Sequence, residues 1–174
     1  MSDVTSTVER WLAGTGHRPD KLFGERRRAV REATKLRVER FGATKIISGM
    51  ALGFDQDLAE IAIELGIPFI AAVPFTGQED RWPWRAIVEY QRLLRQAETV
   101  AVVSTPPTSA RDAVHKLHLR NQWMVEQLSR ALRQGHRAVV LAAWDGTPGG
   151  TAHCYSLAEA RGLMIDRINP DAVL

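Results

Sequence analysis

The sequence predicts an α/β fold: a Rossmann-like three-layer sandwich on a mostly parallel sheet, with residues 1–174 forming a single domain. Three observations carry this. Short apolar runs alternate along the chain with stretches whose apolar residues recur at helical spacing. Two of the runs, 67–73 and 138–144, are almost wholly apolar, as strands covered on both faces should be. Glycine-containing loops then follow the strands and open towards helices. In such sheets ligands gather outside the carboxyl ends of the strands, where the strand order switches.

The elements follow in order. Residues 8–13 form a short apolar run ending in a loop, Gly14-Thr15-Gly16-His17-Arg18-Pro19. Two glycines there are expected to let the backbone turn and approach a ligand. Residues 23–41 read as a helix, with Ala29, Val30, Ala33 and Leu36 on its apolar side and Gly42 as its stop. A short strand at 45–48 runs into Gly49-Met50-Ala51-Leu52-Gly53. Residues 55–65 form a helix with Leu58, Ile61, Ala62 and Leu65 on one face and Asp55 and Asp57 in its first turn. The strand 67–73 ends at Pro74, and its loop carries Gln78, Arg81 and Trp82. A helix at 84–96, a β-branched strand at 99–103 and a long helix at 111–132 follow. That last helix has the stripe Val114, Leu117, Asn121, Met124, Leu128, Ala131. Strand 138–144 enters Asp145-Gly146-Thr147-Pro148-Gly149-Gly150-Thr151, a helix leaves it to 161, and a final strand lies near 163–168.

Composition narrows the function classes. The net charge is +3, with bases clustered at Arg26, Arg27, Arg28, Arg31, Lys35, Arg37 and Arg40. Glu25, Glu32 and Glu39 are interleaved, and no aromatic residues alternate with the bases, so a solvated helix face is favoured over a nucleic-acid surface. The lone cysteine, Cys154, excludes an internal disulfide and a cysteine-built zinc site. No metal cluster is expected: His115 and His118 are close in sequence, but no third ligand is implied. No apolar stretch approaches membrane-spanning length. Residues 1–10 are polar and do not read as a signal peptide, so a cytoplasmic protein is expected.

The loops supply the candidate site. Gly149-Gly150-Thr151 reads as a phosphate cradle, with exposed amides at a helix N-terminus, or as a plain turn capped by Thr151. Gly14, Thr15 and Gly16 read the same way. Arg18 is expected to contact a ligand phosphate through its guanidinium, while His17 is either a ligand contact or an exposed loop residue. Ser48, Gly49 and Gly53 bring backbone close to the ligand, and Asp55 either holds a sugar hydroxyl or caps its helix. Trp82 stacks on a base or plugs the core. Asn121 is the polar residue of an apolar stripe, so its amide is satisfied by loop backbone or by a ligand, with Arg120 beside it. Asp145 binds a magnesium ion or a sugar hydroxyl, or caps a turn. Cys154 is either a thiol activated by a helix N-terminus or a small core residue.

In their order and spacing, these motifs resemble the YpsA-like proteins of the SLOG superfamily. The residues that carry the likeness are Thr15-Gly16-His17-Arg18-Pro19, Ser48-Gly49-Met50-Ala51-Leu52-Gly53, Pro74-Phe75 with Gln78 and Trp82, Arg120-Asn121-Gln122-Trp123-Met124-Val125 and Gly149-Gly150-Thr151-Ala152. The superfamily includes the DNA-loading protein DprA (Smf) and the "lonely guy" (LOG) phosphoribohydrolases. The resemblance implies a Rossmann-like fold and a pocket for a nucleotide or nucleotide-derived molecule; the family often associates, so a homo-oligomer is expected, and no cofactor is expected. The LOG motif places a glutamate three residues after its threonine, and Cys154 stands there in this chain. The favoured expectation is therefore a sensor or carrier, with the catalytic residues unknown. An N-glycosidase acting on nucleoside monophosphates is the alternative, and DprA-like single-strand binding is the least favoured.

Overall fold

The computed structural model describes residues 7–173. The polar stretch 1–6, on which part of the leader reading rests, lies outside them. The order is β1 (Arg10–Gly16), α1 (Gly24–Phe41), β2 (Lys45–Ser48), α2 (Phe54–Glu64), β3 (Phe69–Val73), α3 (Trp84–Gln96), β4 (Thr99–Val102), α4 (Ala110–Arg133), β5 (Arg137–Ala143), α5 (Gly150–Ala160) and β6 (Met164–Ile168). The strands form one six-stranded sheet in the order β4-β3-β2-β1-β5-β6. Every pairing is parallel, so the sheet is more uniform than expected. Among the described residues no helix is long and apolar enough to cross a membrane.

Alternation along the strands builds two cores. Leu12, Ile46, Ala71, Val139 and Leu141 point to the face covered by α1, α2 and α3. Ala13, Ile47, Ala72, Ala138 and Val140 point to the face covered by α4 and α5. The chain builds outward from β1 to β4, then returns to place β5 on the other side of β1. The order therefore switches between β1 and β5, which pair over their whole length, ending at Gly16 opposite Ala143.

Three sequence readings are corrected. Gly14, Thr15 and Gly16 do not form a loop; they are the end of β1. Their glycines serve packing instead of turning. A Cβ on Gly14 would lie 3.0 Å from Phe54 Cε1, and one on Gly16 would lie 2.6 Å from Phe54 Cβ. The first residues of α2 sit directly on the strand. In α1 the buried stripe is Val30, Thr34 and Val38, and Leu36 is 66% exposed. Thr34 is tolerated inside because its hydroxyl donates to the Val30 carbonyl at 2.7 Å. Val114 of α4 is not core either, being 52% exposed.

The basic residues of α1 are largely engaged inside the molecule. Arg27 forks onto the Asp57 carboxylate with two 2.8 Å bonds, Arg31 pairs with Glu64, Arg37 with Asp166, and Arg26 with Asp171. This is the solvated-face reading, with partners supplied mainly by other elements.

The close seat of α2 on β1 gives a stability prediction. Gly16→Ala is expected to cost about 1–3 kcal/mol in urea unfolding, because the added Cβ would fall 2.6 Å from Phe54 Cβ, which moves only with the backbone of α2. Gly150→Ala, where an added Cβ meets nothing within 4 Å, is expected to stay within about 0.5 kcal/mol of the parent.

Candidate functional site

A crevice opens at the carboxyl ends of β1 and β5, beside the switch in strand order. A cavity of 290 Å³ is walled by the end of β1 and its loop (Thr15 to Arg18), by Asp55, by α4 (Leu117, His118, Arg120, Asn121) and by the first turn of α5 (Gly149, Gly150, Thr151). A second cavity of 550 Å³ shares Arg18 and Leu117 with it and continues to Phe75, Gln78, Arg81 and Trp82.

Two adjacent side chains of α4 hold the walls together. Arg120 is 8% exposed; its Nη1 donates to the Gly49 carbonyl at 2.5 Å and lies 3.4 Å from Asp55 Oδ2. Its Nε donates to Asn121 Oδ1 at 3.1 Å. Asn121 Nδ2 in turn donates to the Gly150 carbonyl at 3.2 Å and lies 3.3 Å from His153 Nδ1. A neutral His153 with its proton on Nε2 accepts that bond. Thus one helix grips the loop after β2 and the first turn of α5. Gly49 must be glycine here, since a Cβ would fall 2.6 Å from Arg120 Cζ.

The loop after β2 is held tightly. Met50 is fully buried with φ +60°, a conformation non-glycine residues seldom adopt. Ser48 Oγ accepts its N–H at 3.2 Å, and Gln56 Nε2 donates to its carbonyl at 3.3 Å. Ser48 Oγ also donates to the Asp55 carbonyl at 2.6 Å. Gly53, φ +95°, starts α2, and a Cβ there would lie 2.7 Å from the His17 carbonyl. Asp55 does not cap α2; its Oδ2 accepts the Ala51 N–H at 3.3 Å. Burial raises the Asp55 carboxyl above its ordinary range, against the pull of Arg120 and that N–H.

On the opposite wall α5 starts at Gly150, with Gly149 at its N-cap position, no side-chain cap and no acidic residue in its first turn. Thr151 is inside the helix, so it is not the cap. The N–H groups of the first turn therefore have no intrahelical acceptor, and the positive end of the helix dipole faces the cavity. Asp145 turns the preceding loop: its Oδ1 accepts the Thr147 N–H at 2.9 Å and hydroxyl at 2.7 Å, and lies 2.9 Å from His17 Nε2. Burial works against its ionisation, yet Thr147 and His17 together hold it well below the usual carboxylate range. Lys21 Nζ donates to the Thr147 hydroxyl at 2.8 Å. Arg18 is exposed and has no ion-pair partner among the described residues.

The structure thus gathers Thr15, Gly16, His17, Arg18, Asp55, Arg120, Asn121, Gly149, Gly150 and Thr151 around the first cavity. It places Gln78 and Trp82 on the second. Gly14, Ser48, Gly49, Gly53, Pro74 and Asp145 line neither cavity and shape the walls from behind. Trp82 also packs edge-on against buried Tyr90, with ring centroids 5.3 Å apart. Lys21, Leu117 and His118 were not singled out by the sequence as site residues. Leu117 and His118 stand one turn before Asn121 on α4, a signal that was readable once Asn121 was noticed. His118 stacks on His153, with centroids 3.9 Å apart, and no metal-binding cluster occurs among the described residues. Cys154 is 1% exposed, and burial pushes its thiol up to about 11, so it is a core residue.

No family model matches the chain, and a search of curated proteins returns no match. Among solved structures the chain is similar to DNA processing protein A (DprA) from Streptococcus pneumoniae, at 17% identity and a TM-score of 0.49. That likeness covers 91% of this chain and 58% of the DprA chain, so this chain spans little more than half its length. Two structures of the molybdenum cofactor carrier protein from Chlamydomonas are also similar, at 15% and 14% identity and TM-scores of 0.40 and 0.43. Each covers 95% of this chain and 93% of the other.

Two predictions follow from the α4 grip. Arg120→Met leaves the Gly49 carbonyl and the Asp55 carboxylate buried without their cation, and is expected to cost about 3–5 kcal/mol in chemical denaturation. Arg120→Met combined with Asp55→Asn should recover part of that loss. The second concerns acid. Burial, with repulsion from His118, lowers the His153 imidazole below its ordinary value of 6.5. Between the folded and unfolded values the unfolded chain binds more protons, so the stability this group contributes above pH 6.5 is lost as pH falls below it. Melting temperature should drop more between pH 7.5 and 5.5 in the parent than in His153→Gln.

Proposed function

We propose that the crevice binds a phosphorylated nucleotide or nucleotide-derived small molecule, and that the chain acts as its sensor or carrier. The observation that carries this is the open first turn of α5. Its unpaired amides line the cavity at the switch in strand order, with no carboxylate at the helix start and with Arg18 and Lys21 on the facing loop. Phosphates are bound in such places by aligned N–H groups, the helix dipole and a mobile cation. Asn121 supports the reading, because it fixes the Gly150 carbonyl and so sets the angle at which those amides meet a ligand. The motif resemblance to the YpsA-like branch agrees with it.

Binding without turnover is favoured over N-glycosidase chemistry. The position where LOG enzymes carry a glutamate holds Cys154, buried on the sheet side of α5. Asp55 is engaged with Arg120 and the Ala51 amide, and Asp145 with Thr147 and His17. Single-strand nucleic-acid binding has less support, because the arginines of α1 are largely paired within the molecule.

The test is thermal denaturation with nucleoside monophosphates and the matching nucleosides. A monophosphate at about a hundred times its dissociation constant should stabilise the chain by about 2.7 kcal/mol. The nucleoside should do much less, and Arg18→Ala should weaken binding by about tenfold. Absence of any phosphate-dependent shift across the four bases overturns the proposal. Release of free base from the monophosphate would move it to the enzymatic alternative.

A further inference from the structure

We propose that the chain carries a second small-molecule site, away from the crevice, for an amphipathic carboxylate: an apolar body with one anionic head. The site lies on the face of the sheet that α1 covers, over β1, β5 and β6. It shares no residue with either cavity at the carboxyl ends of the strands, and it does not depend on the reading of the crevice.

The connections leave room for it. α1, α2 and α3 join the strands from β1 to β4 on this face, whereas α5, which joins β5 to β6, puts Cys154 and Ala158 into the core of the other face. α1 therefore meets β6 from the side, where Arg37 pairs with Asp166. Beside that pair a cavity of 360 Å³ reaches down to the sheet, a volume suited to a small molecule. Its floor is Leu12, Val139 and Leu141, all buried, and its sides carry Phe41 of α1 and Met164 of β6. Met164 is 55% exposed, and Leu36, one turn before Arg40 on α1, is exposed as well. Apolar surface thus continues from the floor out to the rim.

The charge at the rim has one sign. Arg37, Arg40 and Arg137 line the cavity, and Asp166 is its one lining carboxylate. Since Asp166 is taken by Arg37, Arg40 and Arg137 are left, both exposed and without an ion-pair partner among the described residues. The Arg137 guanidinium carbon lies 5.8 Å from the centroid of the Phe41 ring, which holds this cation against an apolar wall. Arg10, the register partner of Arg137, adds a further cation at the same end of the sheet.

These two properties together select the ligand. A bare anion would leave the apolar floor in water. An uncharged apolar molecule would cover the floor and strip water from guanidiniums without offering them an acceptor. A carboxylate on an apolar body answers both, its head forked by arginine and its body on the floor.

The experiment is calorimetric titration of the full chain with hexanoate, octanoate and decanoate, kept below micelle-forming concentrations, with octanol and acetate alongside. Affinity should rise by about fourfold for each methylene added. Octanol should bind about tenfold more weakly than octanoate, and acetate not at all. Arg40→Gln combined with Arg137→Gln, two exposed changes checked by circular dichroism, should weaken octanoate by about tenfold or more and leave octanol as it was. Arg18→Ala, in the crevice, should leave octanoate binding intact. Absence of binding below micellar concentrations overturns the proposal, as does octanol binding as tightly as octanoate. Octanoate binding that survives the double arginine change, or that is lost in Arg18→Ala, overturns it too. Sedimentation with phosphatidylglycerol vesicles when no soluble carboxylate binds would assign the arginines to a lipid surface. A dimer dissolved by Met164→Ser, again with no carboxylate bound, would assign the cavity to a second copy of the chain. Either result overturns the proposal, and none of these outcomes bears on the phosphate site.

Discussion

The crevice depends on two bonds from neighbouring residues of one helix. Arg120 takes the Gly49 carbonyl and Asn121 the Gly150 carbonyl, and each bonds to the other. The loop after β2 and the start of α5, which follow the strands on either side of β1, are therefore held by the same turn of α4. A buried guanidinium is expensive to desolvate, and it is kept only where several acceptors share it. Here the acceptors are a backbone carbonyl, a side-chain amide and the Asp55 carboxylate. The cost of burying these groups is offset by a geometry that neither loop would hold alone.

Sheet topology explains why that geometry falls where it does. With β5 laid beside β1 after the chain has run outward to β4, the helices that follow the strands diverge to opposite faces. α2 leaves on one side and α5 on the other. Between their N-termini, beyond the end of β1, the crevice opens, and α4 walls it from the α5 side. The glycines of β1 let α2 come close enough for its loop to reach Arg120. Removing the small residues from β1 would push α2 outward and carry Gly49 and Asp55 with it.

Much of this was legible in the chain. Alternation of strands and helices followed from apolar runs and helical stripes, and Asn121 stood out because an amide in an apolar stripe needs a partner. What failed did so for physical reasons. Glycine looks the same whether it permits a turn or a close helix, so the residue types alone do not show that Gly14 and Gly16 are strand. Thr34 hides in the core by bonding to its own helix, while Leu36 lies outside, so hydrophobicity misplaced the buried side of α1. Val114 looked like core because its spacing was right, but the helix there overhangs the crevice. Lys21 enters the site only through the approach of a separate segment, which no local pattern records.

The contact between Gly49 and Arg120 has a consequence for how the chain tolerates change. The space a Cβ would need at position 49 is occupied by the guanidinium, and the guanidinium is there because position 49 offers its carbonyl. The two positions form one unit. A side chain at 49 is acceptable only in a background where position 120 has already become short and Asp55, whose Oδ2 would lie 2.8 Å from that Cβ, has shifted; a short residue at 120 leaves a void that a side chain at 49 can help to fill. Substitutions at such a pair do not add. Each is harmful alone and partly cures the other, so the viable routes between one arrangement of this crevice and another pass through double changes.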